Sequence, residues 1–114
     1  MTICERFDVV AVPFPFSDIP RVKRRKALVL SARPFNLRNG SSLLMMITSA
    51  AHSKWILDVN LEKWREAGLQ KPCVARMRLF TLDNRLILSR TGSLSAADRR
   101  SVVAALREAL PQHA

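Results

Sequence analysis

Short hydrophobic runs, each ended by polar or chain-breaking residues, alternate along most of the chain. The runs are three to eight residues long and many are rich in β-branched side chains, which is typical of strands. Residues 43–47 are apolar at every position, so this strand is predicted to be covered on both faces. The predicted strands are residues 7–12, 27–31, 43–47, 56–59, 73–80 and 86–88.

Two helices are predicted among these strands. Asn60 is placed to cap a short helix over residues 61–67, with Leu61 and Trp64 both facing the core. Ser95 is predicted to cap a final helix, with Asp98 three residues on in a capping-box position. The hydrophobic positions of this last helix, which we expect to be buried, are Val102, Val103, Leu106 and Leu110.

The order of these elements predicts a single domain over residues 1–114 with a mainly β (α+β) fold. Many short strands with few helices favour a small, strongly curved antiparallel barrel, with a short helix between strands and a C-terminal helix packed outside it. Pro13 and Pro15 are predicted to end the first strand, because proline cannot donate to a ladder. Asn39-Gly40 predicts a tight turn leading into the strand at 43–47.

Positive charge is the main compositional feature. The chain has 19 Lys and Arg against 9 Asp and Glu, a formal net charge of +10, and no acidic residue between Asp18 and Asp58. Residues 21–26 are predicted to be a charged loop before the strand at 27–31. Such a surplus indicates a polyanionic partner, either nucleic acid or a strongly acidic protein, unless the run is merely a solvated basic turn. The cations of this run are Arg21, Lys23, Arg24, Arg25 and Lys26.

Several kinds of site are not supported by the residues present. The two histidines and two cysteines lack metal-ligand spacing, and the three glycines are isolated, so no phosphate-cradling loop is predicted. We therefore expect no cofactor and no metal. Cys4 and Cys73 are predicted to be free thiols. With neither a membrane span nor a secretory signal, a cytoplasmic protein is predicted.

The residues that remain as candidates for chemistry are arginines, hydroxyl side chains and a few carboxylates beside a basic surface. This set is sufficient to cleave RNA by its own 2′-hydroxyl, since the substrate then supplies the nucleophile and a guanidinium stabilises the phosphorane. Such a reaction would not cleave DNA, which lacks that hydroxyl. In the strand at 73–80, Arg76 and Arg78 alternate with apolar positions, so both are predicted to face solvent or a ligand.

The order and spacing of short motifs along nearly the whole chain resemble the PemK/MazF-like toxins of type II toxin–antitoxin systems. The motifs are FDVV at 7–10, PFPFSD at 13–18, RR at 24–25 before ALVLS, FN at 35–36, ITS at 47–49, AGL at 67–69, FTLD at 80–83 and GSLS at 92–95. The resemblance implies an SH3-like barrel of the CcdB/MazF type that forms a homodimer. It also implies a metal-independent, sequence-selective endoribonuclease acting on single-stranded RNA and silenced by a cognate antitoxin. DNA would be contacted only within an autoregulatory toxin–antitoxin complex.

By this resemblance, Arg25 would be the phosphate-stabilising cation and a candidate proton donor, and Thr48 would hydrogen-bond the scissile phosphate. The alternatives are a solvated charge for Arg25 and a backbone-bonded hydroxyl for Thr48. The family's proline after the two arginines is Lys26 here. The residues expected to bind RNA are Arg21, Lys23, Arg24, Lys26, Ser49, Arg76 and Arg78.

Some members of the family that the chain resembles use an arginine and an aspartate in the strand equivalent to residues 74–79. This chain has Arg76 and Arg78 there but no carboxylate, so the general base is left open. His52 and Asp18 are the candidates for proton transfer, although a solvent-exposed histidine and a turn-capping aspartate are the ordinary roles of such residues. Phe16, Trp55 and Phe80 are each expected either to stack on bases or to serve as core or dimer contacts. Cys73 is predicted to be a packed thiol.

Two rival functions fit the same chain. One is a non-catalytic toxin like CcdB, which uses the same barrel to bind DNA gyrase. The other is a plain RNA-binding barrel or a toxin whose catalytic activity has decayed.

Overall fold

The computed structural model describes residues 1–14, 23–51 and 53–112. The strands are β1 (Asp8–Phe14), β2 (Lys23–Val29), β3 (Ser41–Ser49), β4 (Val59–Asn60), β5 (Cys73–Asp83) and β6 (Ser89–Ser93), and the helices are α1 (Arg33–Asn39) and α2 (Ala96–Ala109). All strand pairs are antiparallel, in the order β4-β5-β3-β2-β1-β6. The mainly β prediction is confirmed, and the sheet is a curled half-barrel with β4 and β6 at its edges. No helix in these ranges has the length and hydrophobicity that crossing a membrane requires.

The sheet is covered on both faces, because alternate residues of its central strands enter two different cores. Val9 and Leu28 belong to a first core, which also includes Val102 of α2. Val10 and Ala27 belong to a second core on the opposite face. The prediction that residues 43–47 would be buried on both faces is confirmed: Met45 enters the first core and Leu44 the second.

The first strand does not end at Pro13, as predicted, but continues to Phe14. The carbonyl of Ala11 accepts a hydrogen bond from the Leu88 N–H (2.9 Å) on the β6 side of β1. The backbone nitrogen of Pro13, two residues later, faces the same side. Pairing between β1 and β6 ends at Ala11, so β6 has no residue opposite Pro13. Its missing N–H therefore costs the strand no ladder hydrogen bond.

The basic run is strand, not loop, over the part that is described. β2 begins at Lys23 and ends at Val29, because the β1–β2 ladder extends out to the pair Phe14 and Lys23. The first three residues of β2 are exposed and the last three are buried. The charges of Lys23, Arg24, Arg25 and Lys26 are thus held on a strand that is paired with β1.

The short helix between strands exists, but at a different place. It is α1, where Pro34 lies in the first turn and Gly40 ends the helix at φ +66°. Asn39-Gly40 is therefore a helix end and not a strand-to-strand turn. Asn36 anchors the helix: its side chain is fully buried and donates to the carbonyl of Cys4 (3.0 Å).

Residues 62–68 form a series of turns in place of the predicted helix at 61–67. The buried Asp98 carboxylate accepts the backbone N–H groups of Glu62 and Lys63, both at 3.0 Å. Leu61 is buried and Trp64 packs against the first core, as predicted.

The edges of the sheet also differ from the predicted strands. The strand predicted at 56–59 is reduced to β4, and that predicted at 86–88 is replaced by a 3-10 turn (Asn84–Leu86) followed by β6. The capping of α2 is confirmed, since Ser95 Oγ accepts the Asp98 N–H (3.2 Å). Leu110 is 55% exposed beyond the end of α2, so its predicted burial is wrong.

Candidate functional site

A cleft of about 400 Å³ opens where the first residues of β2 and β5 lie beside the last residues of β3. We call it the cationic pocket. Its lining residues are Phe14, Arg24, Arg25, Lys26, Met46, Ile47, Thr48, Ser49, Lys71, Cys73, Arg76 and Arg78.

Strand register brings the two predicted catalytic residues to one face of the sheet. Arg25 pairs with Val12, whose side chain is in the second core. Met46 pairs with Ala27 of the same core, so Thr48, two residues further along β3, also lies on that face. The last paired residues of β2 and β3 are Lys26 and Ile47. Arg25 precedes Lys26 and Thr48 follows Ile47, so both lie just beyond the end of this ladder, and both line the pocket.

An irregularity in the β3–β5 ladder brings two more arginines into the pocket. Met45 pairs with Leu79 and Ile47 with Ala75, so Met46 alone opposes three residues, 76–78, of β5. Bulges of this kind bend a strand and re-aim its side chains, and they are frequent beside functional sites. Arg76 and Arg78 line the pocket as a result.

The pocket is strongly cationic, because six of its lining residues are Arg or Lys and none is acidic. Five of the six form no ion pair with any described carboxylate. Lys71 belongs to this set but was missed, because it precedes β5 outside every recognised motif. The cations are Arg24, Arg25, Lys26, Lys71, Arg76 and Arg78.

Arg76 is the exception: of the two predicted positions, facing solvent or facing a ligand, it does not take the first, because it lines the pocket but is buried. Its Nε and Nη2 atoms donate to the two carboxylate oxygens of Asp58 at 3.1 and 3.0 Å, and Nη2 also donates to the carbonyl of Ser53. Both side chains of the pair are only 10% exposed. Arg78 alone keeps the predicted exposed position.

Asp58 supplies a carboxylate that sequence reasoning missed, because it precedes β4 and is 18 positions from Arg76. Burial alone would raise the pKa of Asp58, but hydrogen bonds from Arg76 and from the Trp55 N–H, with the charge of Arg76, lower it overall. The same pairing raises the pKa of Arg76. Asp58 is therefore a fixed anion, since its oxygens already accept hydrogen bonds.

Trp55 completes this arrangement. Its backbone N–H donates to Asp58 Oδ2 (2.9 Å), and the Arg76 guanidinium lies over its ring, 5.1 Å from the ring centre. Trp55 as a residue is nevertheless 46% exposed. An aromatic side chain is thus held in a fixed place beside the pocket.

Cys73 is a packed thiol in the pocket wall. It is buried and its Sγ donates to the carbonyl of Lys71 (3.3 Å). Burial raises the pKa of this thiol, against the opposing influence of Lys71 and Lys26. A thiol so perturbed is less nucleophilic than an ordinary cysteine.

The remaining predicted residues are distributed as follows. Ser49 lines the pocket, whereas Lys23 lies at the start of β2 and pairs with Phe14, which does line it. Phe80 packs against the second core. The predictions for Asp18, Arg21, His52 and Phe16 fall outside the described residues.

Solved structures of low sequence identity share this fold over almost their whole length. MazF in a MazE–MazF complex from Deinococcus radiodurans superposes with a TM-score of 0.78 at 21% identity, covering 98% of this chain and 100% of that one. An endoribonuclease in complex with its cognate antitoxin, from a mycobacterial species, gives 0.74 at 16% identity, covering 100% and 99%. The Mycobacterium tuberculosis toxin MazF-mt6 gives 0.74 at 16% identity, covering 94% and 99%. The expected MazF-like fold is confirmed.

Sequence comparison gives the family directly. Curated protein sequences yield no significant match. Residues 5–110, however, match the family profile described as PemK-like, MazF-like toxin of type II toxin–antitoxin system. The match includes every described residue of the cationic pocket. The chain therefore belongs to the PemK-like, MazF-like toxins of type II toxin–antitoxin systems.

Proposed function

We propose that this protein is a metal-independent, sequence-selective endoribonuclease toxin that cleaves single-stranded RNA, in particular mRNA, in the cytoplasm. The observation that carries the proposal is the cationic pocket, in which Arg25 and Thr48 share one sheet face among six cations and no acidic lining residue. Such a pocket attracts a phosphodiester and stabilises added negative charge on it. Membership of the toxin family supports the same activity.

In the proposed reaction the 2′-oxygen of the substrate attacks the adjacent phosphorus while its proton is removed. The bond from phosphorus to the 5′-oxygen breaks, a proton is delivered to that oxygen, and a 2′,3′-cyclic phosphate remains. Arg25 stabilises the doubly charged phosphorane through paired N–H donors. Thr48 hydrogen-bonds a non-bridging phosphate oxygen. Arg24, Lys26, Lys71 and Arg78 hold the flanking backbone by charge.

Among the described residues, Asp58 is the one carboxylate that forms an ion pair with a residue lining the cationic pocket, Arg76. Its lowered pKa and its hydrogen bonds to Arg76 and Trp55 make it a poor proton acceptor. We therefore assign it no proton-transfer role, and His52 and Asp18 remain the candidates for that role.

A cognate antitoxin is the proposed regulator. The similar structures include a MazE–MazF complex and an endoribonuclease bound to its antitoxin. An acidic antitoxin segment is expected to occupy the cationic pocket in competition with RNA, because both are polyanions. A homodimer is proposed as the toxin's own assembly, and DNA contact only through an autoregulatory toxin–antitoxin complex.

The test is incubation of purified protein with a long single-stranded RNA in EDTA, in parallel with Arg25→Ala. We expect discrete cuts that leave 2′,3′-cyclic phosphate ends, lost in the variant. RNA that is retarded in a gel but never cut would indicate an RNA-binding barrel without catalysis. A protein that ignores RNA and arrests DNA gyrase would be a CcdB-like toxin instead.

A further inference from the structure

A second, smaller cavity lies beside the cationic pocket, and nothing in the proposed reaction uses it. Its volume is about 170 Å³, and Lys54, Trp55, Asn60 and Val74 are among its lining residues. Cavities for drug-sized ligands begin at roughly 300 Å³, so this one suits a single flat ring system. We call it the side pocket.

The side pocket is on the same sheet face as the catalytic candidates. Asn60 of β4 pairs with Val74 of β5, and Val74 pairs in turn with Thr48 of β3. Cross-strand partners share a face, so these three residues form one row. Neighbouring strands are about 4.8 Å apart, which puts Asn60 roughly 10 Å from Thr48. Adjacent nucleotides of one extended strand can occupy both pockets.

The chemistry of the side pocket fits a nucleobase. Trp55 is prepared for stacking, since the Arg76 guanidinium covers its ring at 5.1 Å and the Asp58 carboxylate fixes its backbone, yet 46% of the residue is exposed. A platform already ordered before binding loses little entropy when a base stacks on it. Asn60 is exposed and offers an amide with both a donor and an acceptor to a base edge. Lys54 adds a cation for the attached phosphate.

We propose that the side pocket binds one unpaired base of the RNA, next to the nucleotide whose phosphate is cleaved. Trp55 stacks on this base, Asn60 reads its edge, and the pair Arg76–Asp58 is a positioning device that holds Trp55 in place. Part of the sequence selectivity thus arises here. The inference rests on the proposed endoribonuclease function and adds the location of a base-specific subsite.

The first measurement is RNA affinity without turnover. In an Arg25→Ala background, fluorescence anisotropy of a labelled single-stranded RNA is compared for Trp55→Ala, Trp55→Phe and Phe35→Ala. Phe35, on α1 and in neither pocket lining, is the matched control because it is 48% exposed. Loss of base stacking should weaken binding by about 5-fold to 100-fold in Trp55→Ala. Trp55→Phe should recover most of the affinity, and Phe35→Ala should change it less than twofold.

The second measurement is sequencing of cleavage ends with Arg25 intact. Trp55→Ala and Asn60→Ala should relax base preference at the same single nucleotide position, with unchanged preference elsewhere and unchanged cyclic phosphate ends. Asn60→Ala leaves the pair Arg76–Asp58 intact, so it tests the subsite even if Trp55→Ala fails to fold. If Asn60→Ala and a folded Trp55 variant both keep the wild-type base preference, the side-pocket inference is wrong, while the proposed endoribonuclease function still stands. A wild type that neither binds nor cuts RNA would overturn the proposed function as well.

Discussion

Arg25 differs from the other cations of β2 in what the strand register places next to it. It lines the cationic pocket on the same sheet face as Thr48, whereas Lys23, the first residue of β2, is outside the pocket lining. One residue should therefore act in chemistry and the other only in charge attraction.

This difference gives a first prediction. Arg25→Ala should lower the single-turnover cleavage rate by about 100-fold to 1,000-fold, the usual cost of removing one oxyanion donor. Arg25→Lys should recover little, because an ammonium lacks the paired planar donors. Lys23→Ala should weaken RNA binding slightly and leave the cut sites unchanged. Equal rate losses in Arg25→Ala and Lys23→Ala, measured at saturating protein, would contradict these roles.

Asp58 provides a second prediction at the same scale. Its folded-state pKa lies below the ordinary value of 3.8, so the ionised form contributes stability above that value and loses it as pH falls through the folded pKa. Asp58→Asn should lower the free energy of unfolding at pH 7, because the Arg76 guanidinium keeps its charge but loses its ion-pair partner. The difference from wild type should shrink below pH 4.

Urea denaturation of both proteins at pH 7 and pH 3 measures this. Asp83→Asn is the control: the pKa of Asp83 is lowered to about 2 by Arg85, but that pair is exposed to solvent. Its loss should have little effect at pH 7. If Asp58→Asn loses the same free energy of unfolding at both pH values, the ionised carboxylate of Asp58 is not what stabilises the fold.

At the scale of elements, two glycines set how the turns at 62–68 pack on β6. A Cβ on Gly68 would lie 2.1 Å from the carbonyl oxygen of Thr91, and one on Gly92 would lie 2.5 Å from the carbonyl carbon of Ala67. Both sites are backbone against backbone, so neither can yield by a side-chain rotation. This close approach explains physically why the AGL and GSLS motifs carry glycine.

Gly68→Ala should accordingly lower the free energy of unfolding by more than about 3 kcal/mol, since left-handed strain and a backbone collision add. Gly40→Ala is the matched control, because Gly40 has a similar φ of +66° against +77° but open space at the Cβ position. It should cost only about 1–2 kcal/mol. Similar losses for the two variants in chemical denaturation would contradict the packing argument.

Elements that depend on local pattern were predictable from sequence, and those that depend on distant partners were not. The continuous hydrophobic run of β3 and the Ser95 cap of α2 are local signals. In α1 the buried anchor is Asn36, which hydrophobic periodicity does not detect. Residues 62–68 are organised by Asp98, whose contact with them exists only in the fold.

The site shows the same division. Arg25 and Thr48 were identified through the order of family motifs, and the register places them on one face. Burial of Arg76 could not be predicted. Alternation along β5 indicates which face of the sheet a residue is on, but not whether a carboxylate from another segment lies there. Asp58 and Trp55 reach Arg76 through the segment before β4.

At the scale of the whole molecule, the net charge is +10, and six of the 19 Lys and Arg residues line the cationic pocket. RNA binding should therefore weaken steeply with salt. Five phosphate contacts predict a slope of log affinity against log salt of about −3 to −4 for a single strand. Arg78→Ala removes one phosphate contact and should reduce the magnitude of the slope by about 0.7. Arg107→Ala on α2 should leave the slope unchanged. A slope near zero would exclude a phosphate-binding role for the pocket.

The central claim is that the substrate's own 2′-hydroxyl is the nucleophile and that the pocket stabilises the charge it creates. The most direct measurement uses a single-stranded RNA oligonucleotide containing one mapped cut site, in EDTA, with a single 2′-deoxy nucleotide on the 5′ side of the scissile phosphate. We predict that the all-RNA oligonucleotide is cut to a 2′,3′-cyclic phosphate and that the deoxy version binds with similar affinity but stays intact. Cleavage of the deoxy oligonucleotide at the same site would contradict the mechanism.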